Sequence, residues 1–179
     1  MIELRELRDT DAPLMLEWMH DADIQRCFQK NMQQASLEDA CSFCAKAKMP
    51  DKLFQGASIH FAIVDDTDEY LGTISLKDID LNNGSAEYAI AMRKKAQGKG
   101  IAYRATGLLL DKAFNEYDLH RVYLNVLADN RSAIKLYERC GFTFEGEFRE
   151  HIKRDNVFVN LKWYGMTQDE YDVLCWRCQ

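Results

Sequence analysis

A mixed, mostly antiparallel sheet flanked by helices, an α/β (α+β) arrangement, is the fold class this sequence predicts. Three observations predict it. Segments 59–64, 70–79 and 86–92 read as successive short strands separated by turn signals. A helix-period stretch, 100–117, then precedes another strand-like run at 120–127. That strand-helix-strand unit implies a right-handed crossover. Two further runs, 142–148 and 157–164, close the sheet as a strand pair.

Taken in order, Ile2, Leu4 and Leu7 with charges between them suggest a first strand. Asp11 before Ala12-Pro13 suits a helix cap followed by a helix at 14–20. Ser36-Leu37-Glu38-Asp39 opens a second helix, with a capping residue and acids in the first turn. Ile59, Phe61 and Ile63 alternate with His60, Ala62 and Val64 in a strand, and Asp65-Asp66-Thr67-Asp68 is a turn. Asn82-Asn83-Gly84 joins the strands on either side as a hairpin. Val122, Leu124 and Val126 alternate in the strand after the crossover helix. A helix spans 130–140 and stops at Gly141. Thr167-Gln168-Asp169-Glu170 is a capping box for a last short helix. The expected order is β-α-α-β-β-β-α-β-α-β-β-α. With two prolines, no repeat and no linker, residues 1–179 read as a single domain.

Composition narrows the function. The chain is 47% hydrophobic and 29% charged, ordinary for a globular protein. No stretch is long and apolar enough to span a bilayer, and the charged start Met1-Ile2-Glu3-Leu4-Arg5 is no targeting signal, so the expectation is a cytoplasmic protein without a membrane partner. A net charge of -6 disfavours nucleic acid as a partner and is compatible with a cationic substrate. Six cysteines include the pairs Cys41/Cys44 and Cys175/Cys178. The first sits in a helical pattern without a glycine turn and the second at the very end, so free thiols are expected and no metal site.

Gln97-Gly98-Lys99-Gly100-Ile101-Ala102 lies between a strand and a helix. Glycines let the chain turn and let a ligand approach, and a helix start presents free N–H groups suited to phosphate. Lys95 and Lys99 add positive charge. A plain glycine turn and a pyrophosphate cradle both fit. A dinucleotide fingerprint fails where Tyr103 replaces the third glycine.

About thirty residues on, Asn130, Ala133 and Tyr137 stand at helical spacing before Gly141-Phe142. With these two motifs in order, the sequence resembles the GNAT acetyltransferases: motif A is Q/R-x-x-G-x-G/A and motif B an N-x-x-A-x-x-x-Y helix ending in G-F. Lys95 replaces the usual first Gln or Arg. The resemblance extends over nearly the whole chain and implies the GNAT fold, in which the strands before the two motifs splay apart around acetyl-CoA as cosubstrate. It implies that the backbone at Ile90, Ala91 and Met92 bonds the pantetheine arm, that amides of Gln97, Gly98, Lys99, Gly100, Ile101 and Ala102 hold the pyrophosphate near Lys95, and that Asn130 contacts the cofactor. The implied reaction is direct transfer of acetyl to a primary amine. Tyr137 is at the family's position for the acid that protonates the departing thiolate, against core packing as the plainer role. Glu87, in Ala86-Glu87-Tyr88, is the candidate base, against a structural glutamate. His60 and His120 read more readily as structural.

Residues 142–150 (Phe-Thr-Phe-Glu-Gly-Glu-Phe-Arg-Glu) are similar to a subgroup that includes ribosomal-protein N-terminal, spermidine and amino-sugar acetyltransferases. Glu17, Asp21, Asp23, Glu38 and Asp39 would attract a polyamine or basic N-terminus, or simply form a solvated face. The acceptor is therefore a small-molecule or peptide amine of open identity. A non-catalytic acyl-CoA-binding sensor or scaffold is the alternative. The oligomeric state is left open, with Trp163, Tyr164, Tyr171 and Trp176 as either interface or core closure.

Overall fold

The computed structural model describes residues 1–50, 52–154 and 156–174. Strands β1 (Glu3–Glu6), β2 (Ala57–Val64), β3 (Tyr70–Asp80), β4 (Ser85–Met92), β5 (Arg121–Leu127), β6 (Thr143–Arg154) and β7 (Val157–Thr167) form one seven-stranded sheet. Their spatial order is β1-β2-β3-β4-β5-β7-β6. Neighbours run antiparallel except β4 and β5, which are parallel. The helices are α1 (Ala12–His20), α2 (Ala22–Gln25), α3 (Leu37–Lys46), α4 (Ile101–Asp111), α5 (Arg131–Arg139) and α6 (Gln168–Val173). The mixed sheet and its flanking helices match the expected fold.

The alternation in β2 explains how the sheet is covered twice. Ile59, Phe61 and Ile63 join a core with Leu109 and Leu110 of α4 and Tyr137 of α5. Ala62 and Val64 point the other way, into a core with Met15 and Trp18 of α1 and Ala40 and Cys44 of α3. Successive side chains of a strand face opposite sides, so one strand feeds both layers.

Several boundaries differ from expectation for identifiable reasons. Asp11 precedes α1 but its side chain does not cap it; it accepts from the Arg8 amide at 2.9 Å and from Arg5 at 2.8 and 2.9 Å, because a 3₁₀ turn at Asp9–Asp11 intervenes. α2 is an extra helix, capped by Asp21, which accepts from the amides of Asp23 and Ile24. The crossover helix is α-helical only to Asp111 and continues as a π-helical turn, Lys112–Glu116. β6 runs on to Arg154, well past Phe148, with a register shift between Phe148 and Ile152. The capping boxes at Ser36 and Thr167 both form. Cys41 and Cys44 lie one turn apart on α3, with Cys44 buried against Met15 at 3.5 Å. Cys175, Cys178 and Trp176 lie outside the described residues. Among the described residues, no helix is long and apolar enough to cross a membrane.

β3 and β4 pack tightly where Gly72 faces Met92. A Cβ on Gly72 would lie 2.3 Å from the Ala91 carbonyl oxygen and 2.9 Å from Met92 Sδ. Gly72→Ala should therefore force β4 aside and lower unfolding free energy in urea by about 1–3 kcal/mol. Gly146→Ala, with nothing within 4 Å of the added carbon, should leave the midpoint nearly unchanged.

Candidate active site

β4 and β5 start as partners and then separate. Ser85 pairs with Arg121, Ala86 with Val122 and Glu87 with Tyr123, and there the ladder ends. Beyond it, β4 stays paired on its far edge, through Met92 opposite Gly72, and β5 stays paired with β7 through Leu127. The edge of β4 at Ile90, Ala91 and Met92 that faces β5 therefore has no strand partner. Backbone amides and carbonyls there need hydrogen-bond partners from elsewhere.

The chain leaving β4 is clamped. Arg93 is 4% exposed. Its guanidinium donates to Glu17 at 2.7 and 2.8 Å, to Glu69 at 3.1 Å and to the Tyr70 carbonyl at 2.7 Å. After a 3₁₀ turn at Lys94–Ala96, Gly98 and Gly100 take φ of 72° and 74°. Nothing lies within 4 Å of a Cβ at either position, so the left-handed backbone, not space, is what calls for glycine. Gly100 is the N-cap of α4 and supplies no side chain to the first-turn amides of Ile101 and Ala102. The loop thus turns an uncapped, positive helix end outward beside the open strand edge. Gln97 bonds back to the Met92 carbonyl at 3.3 Å. Lys95 is ion-paired with Glu69, while Lys99 is exposed.

Tyr137 comes up from α5 on the α4 side of the sheet. It is 7% exposed and packs edge-on against Tyr88 at 5.7 Å and Phe142 at 6.1 Å. Tyr88 in turn bonds Thr106 of α4 at 2.8 Å. Burial, with Cys140 and Cys27 nearby, pushes the Tyr137 phenol well above its ordinary value, so it stays protonated. Asn130 is the N-cap of α5, accepting from the Ala133 amide at 3.2 Å and from Ser132 at 3.1 Å.

On the opposite face a cleft of about 580 Å³ opens against β4 at Ala89, Ile90 and Ala91. Register lines up its floor. His60 of β2 faces Ser75 of β3, and Ser75 faces Ala89 of β4. The imidazole Nδ1 lies 2.8 Å from Ser75 Oγ and the ring packs edge-on against Phe43 at 4.8 Å. Burial first and Lys77 second hold the His60 ring below its usual pKa of 6.5. In the next row Lys77 donates to Glu87 at 3.0 Å, and Asn125 of β5 donates to the same carboxylate oxygen at 3.2 Å. Gln29 bonds Asn125 from above. The cleft's roof is the 26–36 segment between α2 and α3, which contributes Phe28, Lys30, Asn31, Met32, Gln34 and Ala35.

The structure sets Ile90, Ala91 and Met92 on the length of β4 left unpaired with β5, runs directly from there into the Gln97–Ala102 loop, and packs Tyr137 against Tyr88 of the same strand. It does not leave Glu87 free: its carboxylate is held by Lys77 and Asn125. Nor does it gather the acids expected on the first helices. Glu17 binds Arg93, Asp21 and Asp23 lie 3.4 and 3.3 Å from Lys94, and Asp39 bonds Ser36 in its capping box. Asp39 alone of them lines the cleft. His60, Ser75, Lys77 and Asn125 are the residues sequence reading undervalued. The available signal was positional: His60 and Ser75 sit on the outward phase of strands whose inward phase is apolar.

Comparison with known proteins agrees with this geometry. The family model described as an acetyltransferase (GNAT) domain matches residues 2–143. A spermidine N(1)-acetyltransferase of Vibrio cholerae is 31% identical over 119 residues, 66% of this chain and 69% of that protein. One from Escherichia coli K12 is 29% identical over 170 residues, 95% and 88% of the two chains. The crystal structure of the Vibrio cholerae spermidine N-acetyltransferase in complex with CoA and spermine superposes with a TM-score of 0.84 at 26% identity, covering 95% of this chain and 97% of that one.

The buried His60 gives a test of the cleft's electrostatics. Its folded pKa is below 6.5, so the unfolded chain binds the extra proton and stability falls as pH drops through 6.5 toward the lower folded value. An NMR titration of the ring should show a midpoint below 6.5; a midpoint at or above it would contradict the burial seen here.

Proposed function

Because this chain belongs to the GNAT acetyltransferase family and transfers acetyl from acetyl-CoA to an amine, we propose that transfer is direct, in a ternary complex assembled across the opening between β4 and β5. The end of the β4–β5 ladder carries the reading: the stretch of β4 beyond it lines the His60 cleft at Ala89–Ala91, and Tyr137 packs on Tyr88 of the same strand from the other face. The residues present fit the cosubstrate. The stretch Ile90, Ala91 and Met92, whose β5-facing edge has no strand partner, suits the amides of a pantetheine arm. Amides of Gln97, Gly98, Lys99, Gly100, Ile101 and Ala102 suit a pyrophosphate at an uncapped helix start, with Lys99 adding charge. Lys95, tied to Glu69, serves the loop's shape more than the phosphates. Asn130 fixes the start of α5 and keeps an amide NH₂ for the cosubstrate. When bound, acetyl-CoA supplies an acyl group on a thiol leaving group.

The chain's own residues then manage two protons. The Tyr137 hydroxyl, kept neutral by burial, keeps its proton available to hydrogen-bond and protonate the departing sulfur as negative charge develops there. The amine arrives protonated and must lose a proton before it attacks. The His60–Ser75 pair lies in the row that ends at Ala89, and a neutral imidazole offers a lone pair to that proton, whereas the Glu87 carboxylate is engaged by Lys77 and Asn125. Glu87, the base expected from sequence, is assigned instead to positioning Lys77 and Asn125. In this reading the protein is a single cytoplasmic domain acting on an amine, and its charge of -6 disfavours nucleic acid as a partner.

Release of CoA thiol from acetyl-CoA with an amine panel tests the reaction. Tyr137→Phe should lower kcat by about 10²-fold or more, while acetyl-CoA still raises the melting temperature. Equal turnover in the variant would remove Tyr137 from the chemistry. The kcat/KM profile of the wild type should lose activity on the acid side with a midpoint below 6.5, as His60 protonates. His60→Gln should move that limb up toward the pKa of the free amine, whereas Glu87→Gln should lower the rate without moving it. The reverse pattern would make Glu87 the base.

A further inference from the structure

The cleft is the wrong shape of charge for a polycation. A triamine or tetraamine needs carboxylates spaced along it, because each buried ammonium must be paired. Among the described residues the cleft lining holds one carboxylate, Asp39, already bonded to the Ser36 amide and hydroxyl. Glu87, at its edge, is neutralised by Lys77. Glu17, Asp21 and Asp23 face Arg93 and Lys94 instead.

What lines the cleft is hydroxyl, amide and aromatic surface. Thr73 is 6% exposed and Ser75 5% exposed, and both line it together with His60. Asn31 and Gln34 add amides from the roof. Trp18 and Phe28, stacked at 5.7 Å, and Phe43 supply flat apolar faces. Polar groups that donate and accept, set among aromatic faces, suit a ring with several hydroxyls and one amine. Lys30 also lines the cleft, and it has no carboxylate partner among the described residues. A free ammonium at the wall suits an anion on the acceptor.

We propose that the acceptor is an amino sugar carried on a phosphate or nucleoside diphosphate, with the sugar between Phe43 and the His60–Ser75 row and the anion at Lys30. This rests on the acetyl-transfer reading above and names its second substrate.

The test compares kcat/KM, at fixed saturating acetyl-CoA, for UDP-glucosamine, a UDP-linked 4-amino-4-deoxyhexose, free glucosamine and spermidine. One of the two UDP-linked amines should exceed spermidine by at least about tenfold, the loss expected when a site leaves a charge unpaired. Lys30→Glu should lower that value by about tenfold and raise the value for spermidine. Lys30 is exposed, so this variant folds if the wild type does, and its melting temperature checks that. Spermidine equal to or better than both UDP-linked amines overturns the proposal while leaving acetyl transfer intact. So does acetyl-CoA binding without turnover of either UDP-linked amine. Failure of acetyl-CoA to bind or to shift the melting temperature would overturn the acetyl-transfer reading itself.

Discussion

Everything distinctive about this protein depends on two parallel strands that pair for three residues and then part. Each is held apart by its other edge. β4 keeps its ladder with β3 up to Met92, and β5 keeps its ladder with β7 up to Leu127. Between them the chain makes its crossover through α4, whose Ala105, Leu109 and Leu110 are buried in the core beneath the sheet. The parting leaves a length of strand edge without a strand partner inside the sheet, where side chains such as Gln97, a ligand or solvent must complete its backbone groups. A sheet with continuous pairing would offer neither a slot for a long flexible cosubstrate nor a passage between its faces.

Around that opening the two faces do different work. The α4 and α5 face is apolar and holds a phenol that burial keeps protonated. The α1 to α3 face carries the polar row His60, Ser75 and Lys77. Arg93 links them: it leaves β4 at the start of the glycine loop and is anchored to α1 through Glu17 and to the start of β3 through Glu69 and the Tyr70 carbonyl. A buried guanidinium with carboxylate and carbonyl partners is geometrically demanding. It fixes the height at which the loop turns, and so the position of the α4 amides relative to the His60 cleft.

The sheet and the cosubstrate half were legible because their signals are local. Short strand-like runs between turns marked β2, β3 and β4, Asn82-Asn83-Gly84 marked a hairpin, and the glycines at 98 and 100 stand where the chain takes positive φ. The acceptor half was not legible, because what decides it is pairing at long range. Nothing in the run Glu17, Asp21, Asp23 tells that Arg93 and Lys94, more than seventy residues on, take those charges up. Glu87 looked free because Lys77 and Asn125 reach it from neighbouring strands. The charged end of β6 lacked alternation because it is an edge strand with few apolar neighbours, and the 26–36 roof has no periodicity to read.

That roof is attached with few fastenings. Met32 bonds the Gln25 side chain at 2.8 Å, the Ala35 carbonyl lies 2.8 Å from His20, and Gln29 reaches Asn125 across the cleft. None of these bonds involves the glycine loop, α4 or α5. From Phe28 to Ser36 this irregular chain can therefore vary more freely than its start, where Arg154 bonds the Arg26 carbonyl and Cys27 lies near Tyr137. Substrate preference and chemistry are written in separable stretches of the polypeptide. Such a scaffold diversifies by rewriting its strap, and its relatives need not share a second substrate merely because they share a first.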